Sequence, residues 1–161
     1  MSARLPGGAD ALQNGQCVSV NELEDTIESL LAVCRRDHAA WINGDPSGYV
    51  LPDDTTLMAA MGGTGRGGLT TAQRQRKGNS KWESGSGDVD LVDGGVREDI
   101  AWLVMIERAQ VKFVGRSEPA RWDLRVTELF RKTHSGWERF HRHADPLVDL
   151  HSLDEMLALL E

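Results

Sequence analysis

The chain has 161 residues, enough for one globular domain and too few for two cores of ordinary size. Hydrophobic residues make up 40% of it and charged residues 27%, and 25 acidic against 18 basic side chains leave a formal charge of −7. That balance disfavours a broad footprint for nucleic acid or an anionic membrane, and no apolar run reaches the length of a transmembrane helix. A cytoplasmic protein with neither a membrane nor a nucleic-acid partner is expected. The two cysteines, Cys17 and Cys34, lack CxxC spacing, which argues against a disulfide framework or a structural zinc site.

Residues 1–16 are small, glycine-containing and aperiodic, and read as a loose leader. Ser19 and Glu22 then have capping-box spacing, and Leu23, Ile27, Leu30, Leu31, Cys34, Trp41 and Ile42 follow at helical steps. One amphipathic helix over about 20–42 satisfies them, and Asn43-Gly44-Asp45-Pro46 stops it. A brief second helix is expected around Tyr49 and Leu51. Thr55–Met61 reads as a strand, GGTGRGG at 62–68 as a tight turn, and 70–82 as a further helix that Gly78 weakens. Residues 64–82 carry basic and no acidic side chains, whereas 83–99 are mainly acidic. The glycine run lacks the GK[ST] of a phosphate-binding loop and the GxGxxG of a dinucleotide fold.

The second half reads as antiparallel sheet. Asp88–Asp93 alternates and Gly94-Gly95 offers a turn. Ala101–Gly115, Arg121–Lys132 and Trp137–Ala144 are long strand candidates, the last two joined by His134-Ser135-Gly136. Helices first and a meander last make an α+β layout in which helices cover one sheet face. At the end, Ser152 and Glu155 again have capping-box spacing ahead of Leu153, Met156, Leu157 and Leu160, so a short helix should dock on its own domain or on a partner.

Several side chains on these strands can carry chemistry. In the strand after Arg121, Asp123, Arg125, Thr127, Leu129 and Arg131 share one face, while Trp122, Leu124, Val126, Glu128 and Phe130 share the mostly apolar other. Arg125 in a pocket would recognise a carboxylate or oxyanion; on the surface it is a structural arginine. Regular alternation in the next strand puts Trp137, Arg139, His141 and His143 together, with Glu138, Phe140, Arg142 and Ala144 opposite. Three readings of the histidines compete: proton transfer oriented by a carboxylate, metal binding that lacks a third ligand, and hydrogen bonding within the sheet or across an interface. Glu107 is the lone charge in the apolar row Ala101, Leu103, Met105, Ala109, Val111 and Phe113. Facing Arg125 it would be a structural or ligand-orienting pair; without an arginine it would be a general base. His38 belongs to the apolar stripe of the first helix, as a core or pocket-wall histidine beside Trp41.

The segments AAWINGDPSGYV, the strand running into IER, LRVTELFRK and SGWERFHRHADP together resemble the SnoaL-like branch of the nuclear transport factor 2-like superfamily, over about residues 20–148. The resemblance implies a cone-shaped, cystatin-like α+β roll: N-terminal helices packed in a strongly curved antiparallel sheet around an internal pocket. A flexible leader over 1–18, the domain over 19–148 and a helical extension over 149–161 follow from it. It also implies a homodimer through the sheet, a small apolar organic ligand, and neither metal nor organic cofactor. The superfamily includes ketosteroid isomerases, polyketide cyclases, epoxide hydrolases, dehydratases and non-enzymatic association domains. Matched positions in IER, LRVT and HRHAD make His141, His143, Glu107 and Arg125 the candidate catalytic set, with Thr127 and Asp145 in the pocket; His38 and Trp41, from the stripe of the first helix, line its wall. The expected function is an acid–base isomerase, cyclase, dehydratase or hydrolase; the alternative is a non-catalytic ligand-binding or dimeric association domain. Two segments depart from the family: residues 62–82 replace an apolar, aromatic-rich stretch, and the helix beginning near Leu153 extends past the usual domain end.

Overall fold

The first long apolar stripe forms helix α1, Val20–Ile42, which buries Leu30, Leu31, Cys34, His38 and Ile42 along one side. Its end is closed by a Schellman-type turn in which the Asp45 amide donates to Ala40 O at 2.9 Å and the Gly44 amide to Trp41 O at 3.0 Å. Gly44 has φ +70, and a Cβ there would stand 2.7 Å from the Trp82 carbonyl oxygen. Gly44→Ala should therefore cost about 1–2 kcal/mol, read as a lowered unfolding midpoint; an unchanged midpoint would remove the steric argument.

The computed structural model describes residues 12–13, 16–17, 20–45, 51–52, 54–60, 64–65 and 81–158. The expected helix around Tyr49, most of the glycine turn at 62–68 and the helix over 70–82, apart from Lys81 and Trp82, lie outside these residues. Within the expected loose leader, β1 (Leu12–Gln13) and β2 (Gln16–Cys17) pair as a small antiparallel hairpin.

The main sheet contains β3 (Thr56–Met58), β4 (Thr64–Gly65), β5 (Trp82–Arg97), β6 (Ile100–Phe113), β7 (Ala120–Arg121), β8 (Leu124–Thr133) and β9 (Gly136–Pro146). Its order is β4-β3-β9-β8-β6-β5, with β7 beside β6. Every pairing is antiparallel except β3 with β9, so the sheet is mixed rather than wholly antiparallel. The short hairpins that join β5 to β6 and β8 to β9 enforce antiparallel pairing. β3 arrives from the far end of the chain and is under no such constraint.

Gly94-Gly95 does not turn the chain. β5 continues to Arg97 and reverses at Glu98, which has φ 56. The glycine at 95 is needed because a side chain there would run into the Trp102 ring on the neighbouring strand. Register shifts between Trp82 and Ser84, between Leu91 and Asp93, and between Leu129 and Phe130 mark bulges, which bend a sheet locally.

Helix α1 packs on the concave side, where Val89, Leu103, Met105, Val126, Phe130 and Ala144 meet Leu30, Leu31 and Cys34. A second cluster of Ile42, Trp82, Ala109 and Val111 lies beyond it, with Trp41, Phe113 and Trp122 packed against it. The last helix, α2 (Leu153–Ala158), has its capping box in place: the Ser152 amide donates to Glu155 Oε2 at 2.7 Å and the Glu155 amide to Ser152 Oγ at 3.3 Å. None of its side chains is buried, and Leu153 is 74% exposed, so it docks on none of the described residues of its own domain. No described helix is long and apolar enough to cross a membrane.

Candidate functional site

A sheet wrapped on a helix has an inner face that must be apolar or internally paired, because an unpaired buried charge is costly. Here it carries a chain of ionic contacts. Glu128, on the apolar face of β8, is 1% exposed. Its Oε2 accepts from Arg139 Nε at 2.6 Å and from the Cys34 thiol at 3.2 Å, and its Oε1 accepts from Arg142 Nη1 at 2.8 Å. Arg142 grips Glu107 with both arms, Nη1 to Oε1 and Nη2 to Oε2, each at 2.9 Å. Arg139 reaches the other way and donates to Asp37 Oδ2 at 3.0 Å. His38, next to Asp37 on α1, ends the chain with Nδ1 3.4 Å from Glu107 Oε2.

Two ends of this chain differ. At one, Asp37 and Arg139 line an open cavity of about 530 Å³ with walls from Leu30, Val33, Phe130 and Trp137. Arg36, largely exposed, donates to Asp37 Oδ1 at 2.9 Å on the rim. At the other end, His38 is buried and its Nε2 meets no partner among the described residues. Counting Arg36, three carboxylates face three guanidiniums.

The electrostatics follow from these contacts. Burial alone would raise the Glu107 carboxyl, but the Arg142 charge and the His38 contact more than reverse it and hold it at about 2. Burial, with Glu128 beside it, pushes the Cys34 thiol well above the usual range, so this cysteine is a neutral hydrogen-bond donor. With Glu107 ionised, a hydrogen bond from the neutral imidazole requires its proton on Nδ1. In that tautomer Nε2 is an acceptor, and it is buried with no partner among the described residues. A carboxylate that fixes one ring nitrogen so that the other can take a proton is a general-base arrangement.

The expected site residues divide between the two faces. Glu107 and His38 are inside and in contact with each other. The arginine facing Glu107 is Arg142, not Arg125. His141, His143, Arg125, Thr127 and Asp145 are on the outer face. There Thr56 Oγ1 and His141 Nδ1 stand 2.6 Å apart, His143 Nε2 is 3.3 Å from Asp145 Oδ1, and half-exposed Arg125 is 3.7 Å from Asp145. Thr127 pairs with His143 across the ladder. Trp41 packs against Trp82, with ring centroids 5.8 Å apart. None of these eight residues lines the cavity beside Asp37 and Arg139.

The cause is the bulge in β9. Phe130 pairs with Arg139 and Leu129 with His141, so Phe140 is an extra residue in the ladder. Alternation changes phase there: Arg139 points inward before it, Arg142 and Ala144 point inward after it, and His141 and His143 are turned out. The grouping of Trp137, Arg139, His141 and His143 on one face is thereby corrected. Arg139 and Arg142 also went unrecognised as partners, because residues three apart cannot share a face of a regular strand. Glu128, a lone charge on an apolar face, was the available signal. Among the described residues no three His, Cys, Asp or Glu side chains converge as a metal-holding group.

No protein-family model matches the chain, and no curated protein matches it either. Solved structures do. A nuclear transport factor 2-like superfamily protein of Salmonella enterica serovar Typhimurium matches with a TM-score of 0.65 at 11% identity, over 81% of this chain and 97% of that one. A provisionally named dehydratase of the same family from Streptomyces avermitilis matches with a TM-score of 0.61 at 16% identity, over 78% of this chain and 98% of the other. A provisionally named calcium/calmodulin-dependent protein kinase II association domain from Xanthomonas campestris gives a TM-score of 0.52 at 15% identity, covering 77% and 87%. At these identities the likeness is one of fold: the chain has the nuclear transport factor 2-like, cystatin-like architecture.

Proposed function

We propose that the protein is a SnoaL-like pocket protein that performs general acid–base chemistry on a small, largely apolar organic molecule, without metal or organic cofactor. What supports this reading is the ionic chain that ends at the unpartnered Nε2 of His38. In this role Nε2 takes a proton from a bound C–H or O–H group and returns it to another atom of the same molecule or to a leaving group. Glu107 holds the ring in the required tautomer and stabilises the imidazolium as it forms, and Arg142 keeps Glu107 ionised. Isomerisation, cyclisation, dehydration and hydrolysis all need this exchange. The provisionally named dehydratases among the similar structures fit the same class.

The test is incubation of the protein with a small-molecule extract in D2O, with mass spectrometry of what binds. The wild type should retain an apolar compound and convert or deuterate it. His38→Asn should slow that step by about 10²–10⁴-fold, while His141→Ala and His143→Ala leave it unchanged. Equal conversion by His38→Asn removes the mechanism.

The outer face supports a second part of the reading, a homodimer through the sheet. Half-buried Trp102, Val104, Ile106 and Leu129 form its apolar centre, with Arg125, Asp145, Arg131 and Glu138 at its rim in pairs of opposite sign. A homodimer of this kind joins the same patch of both subunits, and this reading assigns that patch to the outer face. His141 and His143 then belong to the interface. The alternative function, a non-catalytic association domain, draws on the same face and on exposed Leu153, Met156 and Leu157 of α2; it requires that no bound compound be converted.

A further inference from the structure

The cavity of about 530 Å³ beside α1 is of the size that small molecules occupy. Leu30, Val33 and Asp37 line it from one row of the helix, at steps of three and four residues. Phe130 and Arg139 line it from β8 and β9, where they pair across the ladder at the bulge. Its wall is therefore apolar except at the Asp37–Arg139 pair and at Arg36 and Glu138.

The two oxygens of Asp37 are held unequally. Oδ2 accepts from Arg139 Nη1 at 3.0 Å, and both side chains are more than nine-tenths buried. The partner of Oδ1 is Arg36, with Nε at 3.2 Å and Nη2 at 2.9 Å. The Arg36 side chain is 71% exposed. Consecutive residues of a helix do not face each other, so this guanidinium reaches Asp37 from outside the buried row. An ion pair with so exposed a partner contributes little. Inside, Arg139 and Arg142 serve three carboxylates, those of Asp37, Glu128 and Glu107. The carboxylate at the cavity is thus completed by a cation from the surface, and that cation is the replaceable one. Nothing here invites an anion. Arg139 directs Nε, Nη1 and Nη2 to Glu128, Asp37 and Cys34, and Glu138 adds a second carboxylate to the lining.

We infer that this cavity binds a small apolar amine in its protonated form. The ammonium group takes the place of Arg36 on Asp37 Oδ1, and the hydrocarbon or aromatic body covers Leu30, Val33, Phe130 and Trp137. The exchange keeps a positive charge on Oδ1 and releases Arg36 to water. Its driving force is the apolar surface that the ligand and the wall remove from water. The inference goes beyond the acid–base reading and does not depend on it, because neither His38 nor Glu107 lines this cavity.

The test is isothermal titration calorimetry of the full chain at neutral pH with three probes of similar shape: phenethylamine, a cation; phenethyl alcohol, neutral; and hydrocinnamate, an anion. The amine should bind about tenfold more tightly than the alcohol, the worth of one charge-assisted contact, and the anion more weakly than either. Arg36→Met keeps the stem at an exposed position; it should tighten the amine by about two- to fivefold and leave the alcohol unchanged. Asp37→Asn should bring amine and alcohol to equal affinity. Equal binding of the two by the wild type overturns the inference. Tightest binding of hydrocinnamate does so as well, since it would assign the cavity to its arginines. Binding of no probe up to its solubility also overturns it. An amine affinity unchanged in Arg36→Met removes the exchange at Oδ1. If Asp37→Asn fails to fold, the wild-type series and the surface variant Arg36→Met decide. None of these results bears on conversion by His38→Asn, so the two readings fail separately.

Discussion

Arg142→Met is expected to destabilise the fold by about 3–5 kcal/mol, the usual cost of breaking a buried ion pair from one side. The loss does not arise from the methionine, which fills most of the same volume. It arises because Glu107 and Glu128, both nearly inaccessible, lose the guanidinium that joins them. His38 and Arg139 still touch these carboxylates but do not replace the bidentate contact. Arg125→Ala on the outer face provides the control. Its partner Asp145 is 3.7 Å away and both are about half exposed, so the change should stay below about 1 kcal/mol. Denaturant unfolding of the two variants measures the contrast. The double variant Glu107→Leu with Arg142→Met should recover part of the loss, since it removes the stranded charge along with its partner. A loss under about 1 kcal/mol in Arg142→Met would contradict a desolvated chain.

The second large effect is acid sensitivity. Glu107 has a folded-state pKa of about 2 against an ordinary value of 4.5. Between these values the unfolded chain binds the proton and the folded one does not, so stability rises with pH through that window. The stabilisation is fully present above 4.5 and is lost as pH falls through about 2. The span corresponds to about 3 kcal/mol. Burial by itself opposes this, and Arg142 is what reverses it. Glu107→Gln should flatten the slope of unfolding free energy against pH in that range while lowering stability at neutral pH. An unchanged slope would show that other carboxylates carry the acid transition. Asp54 and Glu155 are also held below the ordinary range, by Arg131 and by the Ser152 cap respectively, but both are at the surface, where solvent screens them.

Helix α1, the long strands β6, β8 and β9, and the two faces of β8 were legible in the residues, because each is encoded by a local period of 3.6 or 2. The capping box at Ser152 and Glu155 was legible for the same reason: its partners are three residues apart. Glu107 also announced itself, as the lone charge in an otherwise apolar row. Gly94-Gly95 misled, since glycine serves a turn and a close approach equally well, and only the ring of Trp102 across the ladder distinguishes them.

By itself, then, the sequence determined the α+β layout, the helix that fills the sheet, and the inward position of Glu107 and His38. Only the tertiary structure decided which arginine meets Glu107 and which way His141 and His143 point. The physical reason lies in strand pairing. A one-residue bulge at Phe140 is set by what β8 presents to β9, and it inverts every side chain beyond it. The Glu107–Arg142 contact likewise spans two strands with a third between them. Neither relation leaves a trace in the spacing of neighbouring residues.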